Sequence, residues 1–84
     1  MARHYMHLRN SIGYLPDTGG VLVSSRDELR RLAVANIRSL LANELRSGSI
    51  DLRGQIEITD DQGQCVLTVP FPDAVLVTPA EPAS

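Results

Sequence analysis

Apolar and polar residues alternate from Ala2 to Arg9, the period of a strand with one face buried. His4, Met6 and Leu8 share one face, and Arg3, Tyr5, His7 and Arg9 share the other. Asn10-Ser11-Ile12-Gly13 breaks the alternation, and Tyr14-Leu15 restarts a short extended piece. Pro16-Asp17-Thr18-Gly19-Gly20 predicts a turn, since Pro presets φ, Asp bonds forward to the backbone and Gly takes a positive φ. Val21-Leu22-Val23 then runs back, so the amino half reads as a hairpin.

The period lengthens after Ser25, which with Glu28 three residues on forms a capping box. Asp27 and Glu28 stand at the positive end of the helix dipole, Arg46 at the negative end, and Gly48 is placed to end the helix. At about 100° per residue, Leu29, Ala33, Asn36 and Leu40 fall on one stripe. Leu32 lies on one flank, and Ile37, Leu41, Val34 and Leu45 lie on the other. The apolar arc covers roughly 220°, wider than the roughly 100° that a surface helix needs. Arg31, Arg38, Ser39 and Arg46 mark the wet side.

Ser49 to Gly54 reads as a loop held by Ile50 and Leu52. Alternation resumes at Gln55–Thr59 with Ile56 and Ile58 inward, and Asp60-Asp61-Gln62-Gly63 suits a type I turn with Gly63 in a G1 bulge. Cys65, Leu67, Val69 and Phe71 share the inward phase of the last strand, which Pro70 and Pro72 bring to an end. The run Ala74-Val75-Leu76-Val77 either docks on the domain or adds an edge strand, and residues 79–84 read as a disordered tail. The elements predict one α+β domain over residues 1–78. Its architecture is a two-layer ββαββ arrangement, an antiparallel sheet with one long helix packed on one face.

That core holds about a dozen apolar side chains, each worth roughly 1.5–3 kcal/mol when buried, comparable to the cost of ordering the chain. The surplus flank of the helix is therefore the predicted interface of a homodimer. It comprises Val34, Ile37, Leu41 and Leu45, with Asn36 as the polar residue that fixes its register.

Composition narrows the function classes. The chain has 84 residues, a net charge of −2 and a single cysteine, so it has no internal disulfide, as expected of a protein in a reducing cytoplasm. No run reaches the roughly 18 apolar residues of a membrane span, and the first residues lack a secretory pattern. Seven Arg against four acids make residues 1–46 net +3, and one Arg against six acids makes the rest −5. The overall negative charge argues against general nucleic-acid affinity.

The candidate chemistry is sparse. His4 and His7 fall on opposite strand faces and cannot chelate together, so no metal is expected. Cys65 sits in a core phase without a polarising neighbour, Ser24 and Ser25 are capping residues, and Gly19-Gly20 precedes a strand rather than a helix. No nucleophile, base and orienting group assemble, so neither a catalytic site nor a cofactor is predicted. The open face Arg3, Tyr5, His7 and Arg9 is the one constellation with a binding chemistry, since Arg beside aromatics on a bare sheet can stack bases.

The segments His4-Tyr5-Met6-His7-Leu8-Arg9 and Asp17-x-x-Gly20-Val21 belong to a wider pattern. It continues in Ile56-Glu57-Ile58-x-Asp60-x-x-Gly63, Leu67-Thr68-Val69-Pro70-Phe71 and Asp73-Ala74-Val75. Over residues 3 to 76 the pattern resembles a family of small uncharacterised bacterial proteins with a Tyr/Phe-Phe-His-Leu-Arg-Asp start. Met6, Asn10 and Leu22 depart from it. Residues 3 to 45, with the turn Pro16, Asp17 and Gly20, also resemble HicB-type antitoxins, although a second hairpin follows the helix here. The expectation is a non-enzymatic cytoplasmic module that self-associates or binds another protein. The alternative is a HicB-like or RNA-binding regulator using the open sheet face.

Overall fold

A computed structural model describes residues 1–81. Its strands are β1 (Ala2–Asn10), β2 (Tyr14–Leu15), β3 (Val21–Val23), β4 (Gly54–Thr59) and β5 (Cys65–Pro70). One helix, α1 (Arg26–Arg46), separates β3 from β4, and a 3-10 turn, Phe71–Ala74, follows β5. All pairings are antiparallel, in the order β2-β1-β4-β5, with β3 also on β1. The fold is α+β, with one helix against an open sheet. The short piece Tyr14–Leu15 is a fifth strand, so the amino hairpin returns along β1 in two parts, paired at Leu8–Arg9 and again at Ala2–His4.

Local chemistry accounts for the boundaries. Asn10 Oδ1 accepts from the N–H groups of Ile12 and Gly13 at 2.9 and 3.0 Å, closing the tight turn between β1 and β2. Ser25 Oγ accepts from Glu28 N–H at 3.1 Å as the N-cap of α1. The helix ends through Ser47 and Gly48, the latter at φ +92°. Asp60 Oδ1 accepts from Gln62 and Gln64 N–H, and Gly63 at φ +81° completes the turn into β5.

The core is formed by Leu29, Ala33, Ile37 and Leu41 of α1 against Val23, Ile56, Ile58, Val69, Phe71 and Ala74. Its helix stripe has a four-residue spacing that drifts about 40° per step around the axis. It runs through the flank assigned above to a dimer. Ile37 and Leu41 are inside the chain's own core, and Val34, Leu32 and Leu40 are half-buried against it. The wide apolar arc is thus largely consumed by a sheet with a 3-10 turn added beyond its last strand. Asn36 is not at the centre of the stripe but exposed at its rim, where Nδ2 donates to Met6 Sδ at 3.5 Å.

Phe71 closes the core from beyond β5, in the 3-10 turn rather than in the strand. A Cβ on Gly54 would lie 2.6 Å from its ring and 2.9 Å from Arg9 O, so only glycine lets β4 start there. Arg38, expected to be solvated, donates from Nε to Ala74 O at 2.7 Å and ties the turn to the helix.

The inward phase assigned to Cys65 is corrected. The ladder pairs Ile58 with Leu67 but Thr59 with Cys65, so a bulge interrupts β5 between them. Cys65 is exposed and Val66 packs against the core in its place. Ala74–Val77 forms no strand; Ala74 is buried and Val75 half-buried, whereas Leu76 and Val77 remain in solvent. The predicted tail falls partly outside the described residues, which end at Glu81.

Candidate functional site

The outer face of the sheet is a connected polar and aromatic surface. β1 sets Tyr5 and His7 two residues apart on it, with ring centroids 6.4 Å apart and planes at 14°. β2 adds Tyr14, 5.9 Å from the His7 ring, and the Arg9 guanidinium lies 4.5 Å above the Tyr14 ring. β4 supplies Glu57, which accepts from Arg9 Nε at 2.9 Å and from Gln55 Nε2 at 2.6 Å. The paired guanidinium, then the Gln55 amide, hold the Glu57 carboxyl below its ordinary range, and Glu57 in turn raises Arg9.

His7 is held through both ring nitrogens. Nδ1 lies 3.0 Å from Asp17 N, a backbone donor, so Nδ1 accepts. The ring proton therefore resides on Nε2, which donates to Thr59 Oγ1 at 2.8 Å. Asp17 completes the joint. Its Oδ2 accepts from Met6 N–H at 3.1 Å, and its Oδ1 accepts from Gly19 and Gly20 N–H at 3.1 and 3.3 Å. Met6 lies between the stretches of β1 that pair with β2 and β3, where no backbone carbonyl faces it, so the carboxylate stands in for a strand partner. Partial burial opposes ionisation of Asp17, and the three backbone donors outweigh it, leaving its carboxyl below the usual range.

The four residues predicted for this face are therefore split. Tyr5, His7 and Arg9 join one network, whereas Arg3 donates to Gly19 O at 2.8 Å and braces the turn. Gly20, at φ +71°, allows that approach: a Cβ there would meet Tyr5 and Arg3 at 2.8 and 2.9 Å. Sequence reading missed Tyr14 and gave Asp17 only a turn role. Reading Asn10–Gly13 as a tight connection would have placed Tyr14 opposite Arg9, the pairing observed. His4 lies on the helix side, beside Val23 and Leu29, away from His7. Among the described residues no three His, Cys, Asp or Glu side chains converge to hold a metal ion.

A second surface lies at the carboxyl end of α1. Leu41, Ala42 and Leu45 with Ile50, Leu52 and the segment Val75–Thr78 line a groove of about 460 Å³. Leu45 is 60% exposed, Ile50 47%, Leu76 92% and Val77 64%. Of the five residues predicted as an interface, Leu45 alone belongs to this exposed apolar group. Leu41 is its buried floor, and Ile37, Val34 and Asn36 lie elsewhere. No helix among the described residues is long and apolar enough to cross a membrane.

The family described as a domain of unknown function (DUF6894) matches residues 3–72, most of the chain. The protein belongs to that family, in agreement with its resemblance to small uncharacterised proteins. No curated protein and no solved structure matches it.

Proposed function

We propose that this member of the family is a non-enzymatic cytoplasmic interaction module that self-associates as a homodimer. The observation that supports the reading is the exposed apolar group at the carboxyl end of α1, formed by Leu45, Ile50, Leu76 and Val77. Single exposed aliphatics are ordinary, but a contiguous group beside a groove is the usual mark of an interface. Burial of such side chains is worth roughly 1.5–3 kcal/mol each, a large addition for a domain of this size. The absence of an internal disulfide accords with a reducing compartment. The non-enzymatic reading draws support from the outer face, where His7, Glu57 and Asp17 are each engaged by neighbours within the fold. Sedimentation equilibrium of the wild-type chain at micromolar concentration tests the proposal. A dimer that becomes a monomer in Leu45→Glu is expected, and a wild-type monomer overturns it.

A second reading rests on the row Tyr5, His7 and Tyr14 with Arg9, a stacking surface of the kind that RNA-binding sheets use. It predicts salt-sensitive RNA binding that is lost when Arg3 and Arg9 are both changed to Ala. The pairing of Arg9 with Glu57, and of Arg3 with Gly19 O, leaves this face less free cation than the sequence offers.

A further inference from the structure

We infer that His7 is a proton-operated latch on the turn 16–20: the neutral ring holds Asp17 and the near end of the turn closed, and protonation of Nδ1 releases them. None of the residues involved belongs to the apolar group at the end of α1, so the latch is independent of the self-association proposed above. Its basis is the direction of the hydrogen bonds. Asp17 N–H points at His7 Nδ1 at 3.0 Å, and a backbone N–H can only donate. Nδ1 is therefore needed as a lone pair. A proton there would set two donors against each other, so this bond exists only while the ring is neutral. Imidazole is the side chain that ordinarily gains its charge between pH 8 and pH 5.

The groups around the ring decide what the proton does. From β1, the Tyr5 ring stacks beside it and Arg9 follows on the same face; from β2, the Tyr14 ring lies 5.9 Å away. From β4, Glu57 stands opposite His7 in the ladder, and Thr59 Oγ1 meets Nε2. The turn contributes the Asp17 carboxylate. Both carboxyls lie below the usual range, so both are ionised where an imidazole titrates, and both favour the cation. Glu57 is already engaged by Arg9 and Gln55. Asp17 is the carboxylate carried by the turn itself, and its oxygens are held by Met6, Gly19 and Gly20 N–H. A proton on Nδ1 must draw an oxygen from those donors just as Asp17 N–H loses its own acceptor. Both exchanges fall on one residue, so the turn has two alternative sets of bonds. Arg3 holds Gly19 O and keeps the far end of the turn in place. Leu15, Pro16 and Asp17, at the near end, line a largely apolar cavity of about 510 Å³ together with Met6, Leu8 and Leu32. Release of Asp17 therefore opens that cavity and frees Met6 N–H on the unpaired stretch of β1.

The test is a nuclear magnetic resonance titration of the full-length, nitrogen-15-labelled wild-type chain from pH 8 to pH 5. The imidazole nitrogens of His7 are followed beside the backbone amides of Met6, Asp17, Gly19 and Gly20. His4, on the helix side of the sheet, serves as the internal reference. The Asp17 amide is expected to shift with the same midpoint as the His7 ring and not with that of His4. Its hydrogen exchange, corrected for the intrinsic effect of pH, should accelerate by about tenfold on protonation. His7→Gln offers an amide oxygen that accepts without titrating, so the Asp17 amide should lose its pH dependence in that variant. A His7 ring that titrates while the Asp17 amide keeps its shift and protection overturns the latch. A His7 ring that stays neutral down to pH 5 overturns it as well, and so does a pH response of Asp17 that persists in His7→Gln.

Discussion

On its inner face the sheet presents Ile56, Ile58 and Val69 to α1, all buried and without a polar atom. On its outer face β1 and β4 carry His7, Arg9, Glu57 and Thr59, each joined to a neighbour through hydrogen bonds. The same alternation produces both, but the inner face is held by volume and the outer face by partners. They should therefore fail differently. Inner changes should cost stability at any pH and salt, whereas outer changes should be smaller and depend on protons and ions. The inner face is consumed by packing, and the apolar surface left over, on which the proposed self-association rests, lies at the end of α1.

The inner face gives the largest expected effect. Phe71 is 1% exposed and closes the core between Gly54 and the helix end. Phe71→Ala should cost about 3–5 kcal/mol in urea unfolding, through lost transfer energy and the cavity left behind. Gly54→Ala should also destabilise, by crowding that same ring against β4. If Phe71→Ala proves nearly neutral, the turn after β5 does not close the core. Neither loss should vary with pH.

Asp17 comes next and belongs to the other side of the contrast. Asp17→Ala removes the acceptor of Met6, Gly19 and Gly20 N–H and should cost about 1–3 kcal/mol. Its carboxyl lies below the usual range in the fold, so folding favours the ionised form. That contribution is complete above the unfolded value near pH 4 and disappears as pH falls through the lower folded value. Urea midpoints measured from pH 7 to pH 3 should fall more steeply for the wild type than for Asp17→Asn. Equal slopes would show that the carboxylate contributes nothing to the β1 edge.

Smaller still is the Arg9–Glu57 pair, 2.9 Å apart with the Arg9 side chain half in solvent. A double-mutant cycle with Arg9→Ala and Glu57→Ala should give a coupling below the Asp17 effect, and added salt should shrink it further. A coupling that withstands high salt would mean that the outer network is structurally closer to the core than its exposure implies.

The elements with a strong local signal were legible. Ser25 and Gly48 bound the helix, Asp60–Gly63 turns the second hairpin, and odd and even residues of β1 part onto the two faces. Two features escaped a reading of periods. The helix arc gives the width of an apolar face but not its centre, which depends on what lies opposite. Phe71 and Ala74, beyond the strand, drew Ile37 and Leu41 into the core. The outer network needed strand register, because Glu57 and Tyr14 meet Arg9 from β4 and β2, far from it in sequence or across a turn. The apolar end patch was legible only as a list of residues, since Leu76 and Val77 read equally as core or as strand until their exposure was seen.

Cys65 carries the smallest predicted effect and the sharpest test of how alternation breaks. Counting back from Val69 in twos places its side chain inward, and the bulge opposite Thr59 turns it out, with Sγ 3.6 Å from Thr68 Oγ1. A residue inserted into one strand of a ladder shifts the phase of everything beyond it, so Val66 takes the inward place. Cys65→Ser should then change stability by less than about 0.5 kcal/mol, as at other surface positions. The thiol should react with an aromatic disulfide reagent in the native protein as readily as in urea. A thiol that reacts only after unfolding would return Cys65 to the core and remove the bulge, and Val66 would have to face solvent in its place.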